Sequence, residues 1–250
     1  NKKILYLLVK NKILIIEKAI ASILLEDTDK IKYLFDFLKP FLDEERIQDI
    51  EEQLPDNYNE KTEYCENRHN ICKLILNDDL DDFKSYIKKR KISLTSKIEE
   101  STFETNLFLI GNDSVSLIEY AAFYGSTSIF KYLLENGAKY DSNLWIYAIH
   151  SQSLEMIQLL EETGVDFDNY TKCIEEAIKC HHNEIFEYIK KKYGKKKKVN
   201  LTNFALQYYN ISLIDVDSID ELPFFDLCKF DYCTLADVIL RKSDFDINEV

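Results

Sequence analysis

Cys173, Cys180, His181 and His182 place two thiols and two imidazoles in one short stretch, side chains of the kind that hold zinc. Their spacing does not follow a structural zinc pattern. Such sites favour Cys-x2-4-Cys pairs or His pairs three to five residues apart, and Cys-x6-Cys-His-His is neither. Cys65, His69 and Cys72 form a second group of ligand types, while Cys228 and Cys233 have no neighbouring histidine. Nucleophilic catalysis would need a Cys or Ser beside a positioned base and an oxyanion donor. The chain has no Gly-x-Ser-x-Gly elbow, phosphate-cradling glycine loop, dinucleotide fingerprint or His-Glu-x-x-His. The adjacent acids Asp78-Asp79, Glu161-Glu162 and Glu175-Glu176 point in different directions on a helix, so they read as a solvated acidic face rather than an acid/base pair. The expectation is therefore no catalytic residue, no cofactor and no metal.

The elements that would carry these residues are helical. The 250 residues are 46% hydrophobic and 13% aromatic, enough for a core, yet include only 5 Gly and 3 Pro, too little punctuation for a turn-rich β fold. Apolar residues between Ile4 and Leu25 are interrupted by Lys10, Lys12, Glu17 and Lys18, which predicts an amphipathic helix or helix pair rather than a membrane span or signal peptide. Ile31, Leu34, Phe35 and Leu38 recur at helical spacing until Pro40, and a helix over Asp43–Leu54 is predicted to stop at Pro55. The polar stretch Pro55–Thr62 is the best internal boundary, giving an N-terminal helical region over 1–62 and a second region over 63–250.

The second region repeats itself. In Ser116–Ala138, Ala121-Ala122 is followed by Gly125, then Ile129-Phe130, Leu133-Leu134 and Gly137-Ala138. A second copy runs through Ala148-Ile149, Met156-Ile157, Leu159-Leu160 and Gly164-Val165, and a third through Ala177-Ile178, Ile185-Phe186, Tyr188-Ile189 and Gly194. A degenerate copy precedes them from His69, followed by an insertion over Lys91–Ser114. Weaker copies follow around Phe204–Ile214 and Leu227–Leu240. Small Ala121 and Ala122 allow close helix approach, Gly125 suits a left-handed turn, and Ser116 with Glu119 has capping-box spacing.

These copies resemble ankyrin repeats, stacked helix pairs with projecting fingers. More narrowly, Ser116–Gly137, Ser142–His150 and Ile178–Asn183 look like an ankyrin-like domain of unknown function expanded in parasitic protists. The likeness covers roughly residues 65 to 250 and is specific over 114 to 192. It implies an all-α fold, an ankyrin-like solenoid of stacked helix pairs with an N-terminal helical region. Gly137 to Gly164 and Gly164 to Gly194 are closer than the roughly 33 residues of a standard repeat, so the fingers must be short. Gln152, His181 and Tyr209 stand where the first copy has Gly125, which predicts turns closed differently there.

Ankyrin repeats carry a binding column immediately after their paired small residues. By that resemblance it falls here on Phe123 and Tyr124, His150 and Ser151, Lys179 and Cys180, and Gln207 and Tyr208. The column either meets a partner or contacts the protein's own N-terminal helices; both readings stand. Trp145 is expected to be packing, and His181 a turn residue.

The formal net charge of -13 disfavours nucleic acid and favours basic partners. Lys190–Lys198 runs against that balance, as a solvated loop at a helix end or as a nuclear-import signal. Sparse cysteines without a disulfide framework suit a reducing, cytoplasmic compartment, with nuclear entry left open. The resulting expectation is a non-catalytic protein-protein interaction module or scaffold that binds a partner through the concave face and fingers of the ankyrin-like array, with no membrane or nucleic-acid partner, a protein partner of unknown identity, and self-association left open. The alternative is the substrate-recruiting portion of a larger enzyme or ligase assembly. The chain opens on Asn1 and closes on Asp244–Val250, which resembles the start of another finger, so the array is expected to continue beyond 250.

Overall fold

The computed structural model describes residues 2–54, 67, 69–101, 104–112, 114–194, 199–214 and 222–241. The expected junction at 55–62, Cys65, Lys195–Lys198 and the terminal stretch 244–250 lie outside them. Two compact units divide the chain: residues 1–120 with 131–138, and residues 121–130 with 139–250.

In the first unit, α1 (Lys2–Lys10) and α2 (Lys18–Leu24) are the predicted helix pair, separated by a left-handed residue at Lys12 (φ 57°). Next come α3 (Thr28–Tyr33), α4 (Phe35–Leu38) and α5 (Glu44–Gln53). Ala21, Leu24, Ile31, Leu34, Leu38 and Ile50 gather into one core, which explains the helical spacing of the apolar residues. Pro40 sits in a single 3-10 turn, Lys39–Phe41. The Asp43 carboxylate caps α5 by accepting from Arg46 N at 2.8 Å, and Glu44 and Glu45 favour the positive helix end.

The degenerate copy forms α6 (Asn70–Leu76) and α7 (Leu80–Arg90), which bury Cys72, Ile75, Phe83 and Ile87. The insertion after α7 contains a short helix, α8 (Leu107–Ile110), and an isolated antiparallel bridge between Lys97 and Ser116. Buried Glu104 organises it, accepting from the backbone N–H groups of Asn67, Thr105 and Asn106. The predicted capping box starts α9 (Leu117–Tyr124): Ser116 N donates to Glu119 Oε2 at 2.7 Å and Glu119 N to Ser116 Oγ at 3.4 Å. Helix α10 (Thr127–Glu135) follows.

The second unit contains the remaining pairs: α11 (Leu144–His150) with α12 (Leu154–Glu162), and α13 (Tyr170–Lys179) with α14 (Asn183–Tyr193). Helix α15 (Leu201–Gln207) is followed by a 3-10 turn at Ile211–Leu213, and α16 (Phe224–Lys229) pairs with α17 (Cys233–Arg241). Their first helices form a row, α11 on α13, α13 on α15 and α15 on α16. Ala148, Ala177 and Ala205 lie buried in it, leaving room for close backbone approach.

The residue that turns between paired helices is left-handed in every copy. Asp78, Gly125, Gln152, His181, Tyr209 and Asp231 all adopt φ between 52° and 71°. The expectation that the non-glycine turns close differently is therefore corrected for His181 and Tyr209, whereas at Gln152 the closing bond does differ, Ser153 N donating to Ser151 Oγ at 3.1 Å. At Gly125 the Schellman pattern is complete, with Gly125 N donating to Ala122 O and Ser126 N to Ala121 O; His181-His182, Tyr209-Asn210 and Asp231-Tyr232 reproduce it. A Cβ at this position is strained by about 1–2 kcal/mol, and the bonds hold it there. Gly194 differs, since its φ of -77° is right-handed. Space is the constraint instead: an added Cβ would lie 2.8 Å from the Tyr170 hydroxyl oxygen.

Side chains also tie successive pairs together. His182 Nδ1, Asn210 Nδ2 and Tyr232 Oη each follow a left-handed turn residue and bond the carbonyl of Ile149, Ile178 and Leu206, respectively, in the preceding pair. Buried Trp145 donates from Nε1 to Val165 O at 3.1 Å, so it is packing with one satisfied polar atom.

Candidate functional site

The column residues sit where each first helix of the second unit ends, just before its left-handed turn. Phe123 is buried, with its ring 4.9 Å from that of Tyr124 in an edge arrangement and 4.9 Å from the His150 imidazole in a stack. The His150 side chain is 10% exposed, and its Nε2 lies 3.0 Å from Glu176 Oε1. Its Nδ1 faces Cys180 Sγ at 3.5 Å. Lys179 is exposed and reaches both Glu176 oxygens, at 3.1 and 3.3 Å. Ser151 Oγ donates to Ala148 O, Gln207 is exposed, and the Tyr208 hydroxyl donates to Glu175 Oε1 at 2.7 Å.

Phe123, Tyr124, His150, Lys179 and Cys180 thus belong to one chain of contacts whose hub, Glu176, was read in the sequence as part of a solvated acidic face. The Glu176 side chain is only 13% exposed. The available signal was its spacing: one helical turn before Lys179 and Cys180, an acid on α13 faces the same way as they do. Burial acts to raise the Glu176 pKa, but hydrogen bonds from His150 and Lys179 outweigh it and hold the carboxyl below its usual range. Burial, reinforced by Glu176, pushes the Cys180 thiol up to about 12, and burial with Glu175 does the same for the Tyr208 hydroxyl.

The ligand-type residues singled out by their proximity in sequence separate in space. Cys173 is buried, and His181 Nε2 lies 3.0 Å from Tyr208 O, while His182 is spent on Ile149 O. His69 Nδ1 is 3.9 Å from Glu99 Oε2, and Cys72 is buried with its thiol pushed up to about 12 by burial. Within the basic run, Lys190 pairs with Glu187, and Lys192 pairs with Glu161 and bonds Tyr188 Oη.

No protein-family model matches this chain, and no curated protein matches it. Among solved structures, the human ASB11 ankyrin repeat domain is similar at 20% identity and a TM-score of 0.41, over 58% of this chain. The matched part spans 66% of that domain. The helix pairs, their shared left-handed turn and the row of first helices define an all-α protein of stacked helix pairs. Among the described residues, no helix is long and apolar enough to cross a membrane.

Proposed function

We propose that this chain is a non-catalytic protein-binding module that holds its partner along the ends of its first helices and the short connections beside them. The observation that carries the reading is a change of exposure in register. Ala148-Ile149, Ala177-Ile178 and Ala205-Leu206 are buried, whereas the residues that follow each pair, His150-Ser151, Lys179-Cys180 and Gln207-Tyr208, are partly or fully exposed. Tyr124 extends the row. Such a row offers aromatic anchors among polar groups, the composition that supplies most affinity at protein interfaces. The net charge of -13 favours a partner with a basic face over a nucleic acid. Cys72, Cys173, Cys180, Cys228 and Cys233 are free thiols, which supports a reducing cytoplasmic setting, and a recruiting role within a larger assembly would use the same surface.

Affinity capture with the full chain tests this reading. Tyr124→Ala/Gln207→Ala alters the row, and Leu240→Ala, at an exposed leucine on the second helix α17, serves as the control. A partner lost from the folded double variant and kept by the control supports the row; retention of every partner by both rejects it. Sedimentation at several concentrations separates a second copy of the chain from a different protein as the occupant.

A further inference from the structure

The same row contains a set of side chains of metal-ligand type. His150 ends α11, while Glu176 and Cys180 stand four residues apart at the end of α13 and so project from one helix face. Besides the two imidazole contacts, Cys180 Sγ is 3.9 Å from Glu176 Oε1, and one ligand atom from each residue falls within 4.8 Å of the others. In a tetrahedral zinc site the metal is bound at about 2.0–2.3 Å by nitrogen, oxygen and sulfur, which sets the ligand atoms roughly 3.3–3.6 Å apart. His150 turns Nδ1 to Cys180 and Nε2 to Glu176, so closing the set on a metal requires the imidazole to re-aim one nitrogen between the other two ligands.

We propose that His150, Glu176 and Cys180 form a zinc-class metal site, in which three protein ligands leave a fourth position for water or for a donor atom from a bound partner. Soft thiolate combined with imidazole and carboxylate selects zinc over magnesium or calcium, which prefer oxygen ligands throughout. Binding deprotonates the Cys180 thiol, whose proton passes to solvent; one imidazole nitrogen and a Glu176 oxygen complete the set, and Lys179 turns out to water. A bound divalent cation offsets the burial and the Glu176 charge that keep the thiol protonated. The Phe123 ring stacked on His150 fixes the imidazole plane, as an outer support does in metal sites. The ligands come from successive helix pairs, so the metal would cross-link α11 to α13. The set was hidden in the sequence because His150 lies outside the Cys-His-rich stretch.

The test is cobalt(II) added to the reduced full chain, with zinc as competitor. The expected result is one equivalent of tetrahedral cobalt with a thiolate charge-transfer band, displaced by zinc, and a higher unfolding temperature with zinc. Cys180→Ser should abolish the band, and His150→Ala, which leaves every thiol in place, should weaken binding at least about tenfold. Cys228→Ser/Cys233→Ser, removing the exposed thiols, should leave the band unchanged. No tetrahedral spectrum, a band that survives both Cys180→Ser and His150→Ala, or a band lost with the exposed thiols would overturn the site. None of these results bears on whether Tyr124 and Gln207 contact a protein.

Discussion

His182 Nδ1 donates to the carbonyl oxygen of Ile149 at 2.8 Å, tying the start of α14 to the end of α11 in the preceding pair. Asn210 and Tyr232 make the same link one and two pairs further on. Each sits next to a left-handed turn residue, so the turn that closes one hairpin also aims the side chain that holds its neighbour. Local backbone conformation and stacking of the pairs are one device.

Asn210 is the sharpest test of that device, because it is buried and also donates to Asn183 Oδ1 at 2.8 Å. Asn210→Ala leaves the Ile178 carbonyl without this donor and should cost about 1–3 kcal/mol. Urea unfolding should show a lower midpoint with an unchanged slope. An unshifted midpoint would mean the link adds nothing.

The shared turn conformation makes a pair of opposed predictions. Gly125→Ala places a Cβ at φ 71° and 3.3 Å from Ser151 Cβ, and should destabilise by about 1–2 kcal/mol. Gln152→Gly removes the same strain at φ 56°; set against the extra freedom glycine gives the unfolded chain, it should stabilise by about 0.5–1 kcal/mol. Thermal unfolding of the two variants should move in opposite directions. Destabilisation by both would contradict a common strained turn.

Glu161 links α12 to α14 by accepting from Tyr188, Tyr193 and Lys192. Burial acts to raise its pKa, but these bonds outweigh it and hold the carboxyl below its ordinary 4.5. The unfolded chain therefore binds the proton first as pH falls. The stabilisation is complete above about pH 4.5 and is lost as pH drops from there toward the folded value. Glu161→Gln should lower stability at neutral pH and flatten this acid limb in urea unfolding followed against pH. Parallel curves for the two proteins would rule Glu161 out as a source of the acid sensitivity.

The repeat register was legible because helix periodicity and the Ala121-Ala122, Leu133-Leu134 and Gly137 markers all report local geometry. The common turn was not, since Gln152, His181 and Tyr209 carry no glycine to mark a left-handed residue; only their register with Gly125 did so. Glu104 and Glu176 were missed for a different reason. Glu176, beside Glu175, reads as one of a solvated pair and Glu104 carries no motif, until partners distant in the chain, His150 for the first and Asn67 for the second, are brought to them. Contacts over such separations leave no local pattern.

The row from Tyr124 to Tyr208 is proposed as the place where a protein partner is held. Titration calorimetry of a captured partner against the wild-type chain and against Tyr124→Ala/Gln207→Ala measures it directly, provided both chains unfold at the same urea midpoint. At least about a tenfold loss of affinity is expected in the double variant, since a few anchors supply most of the binding energy. Equal affinity for the two chains would contradict it.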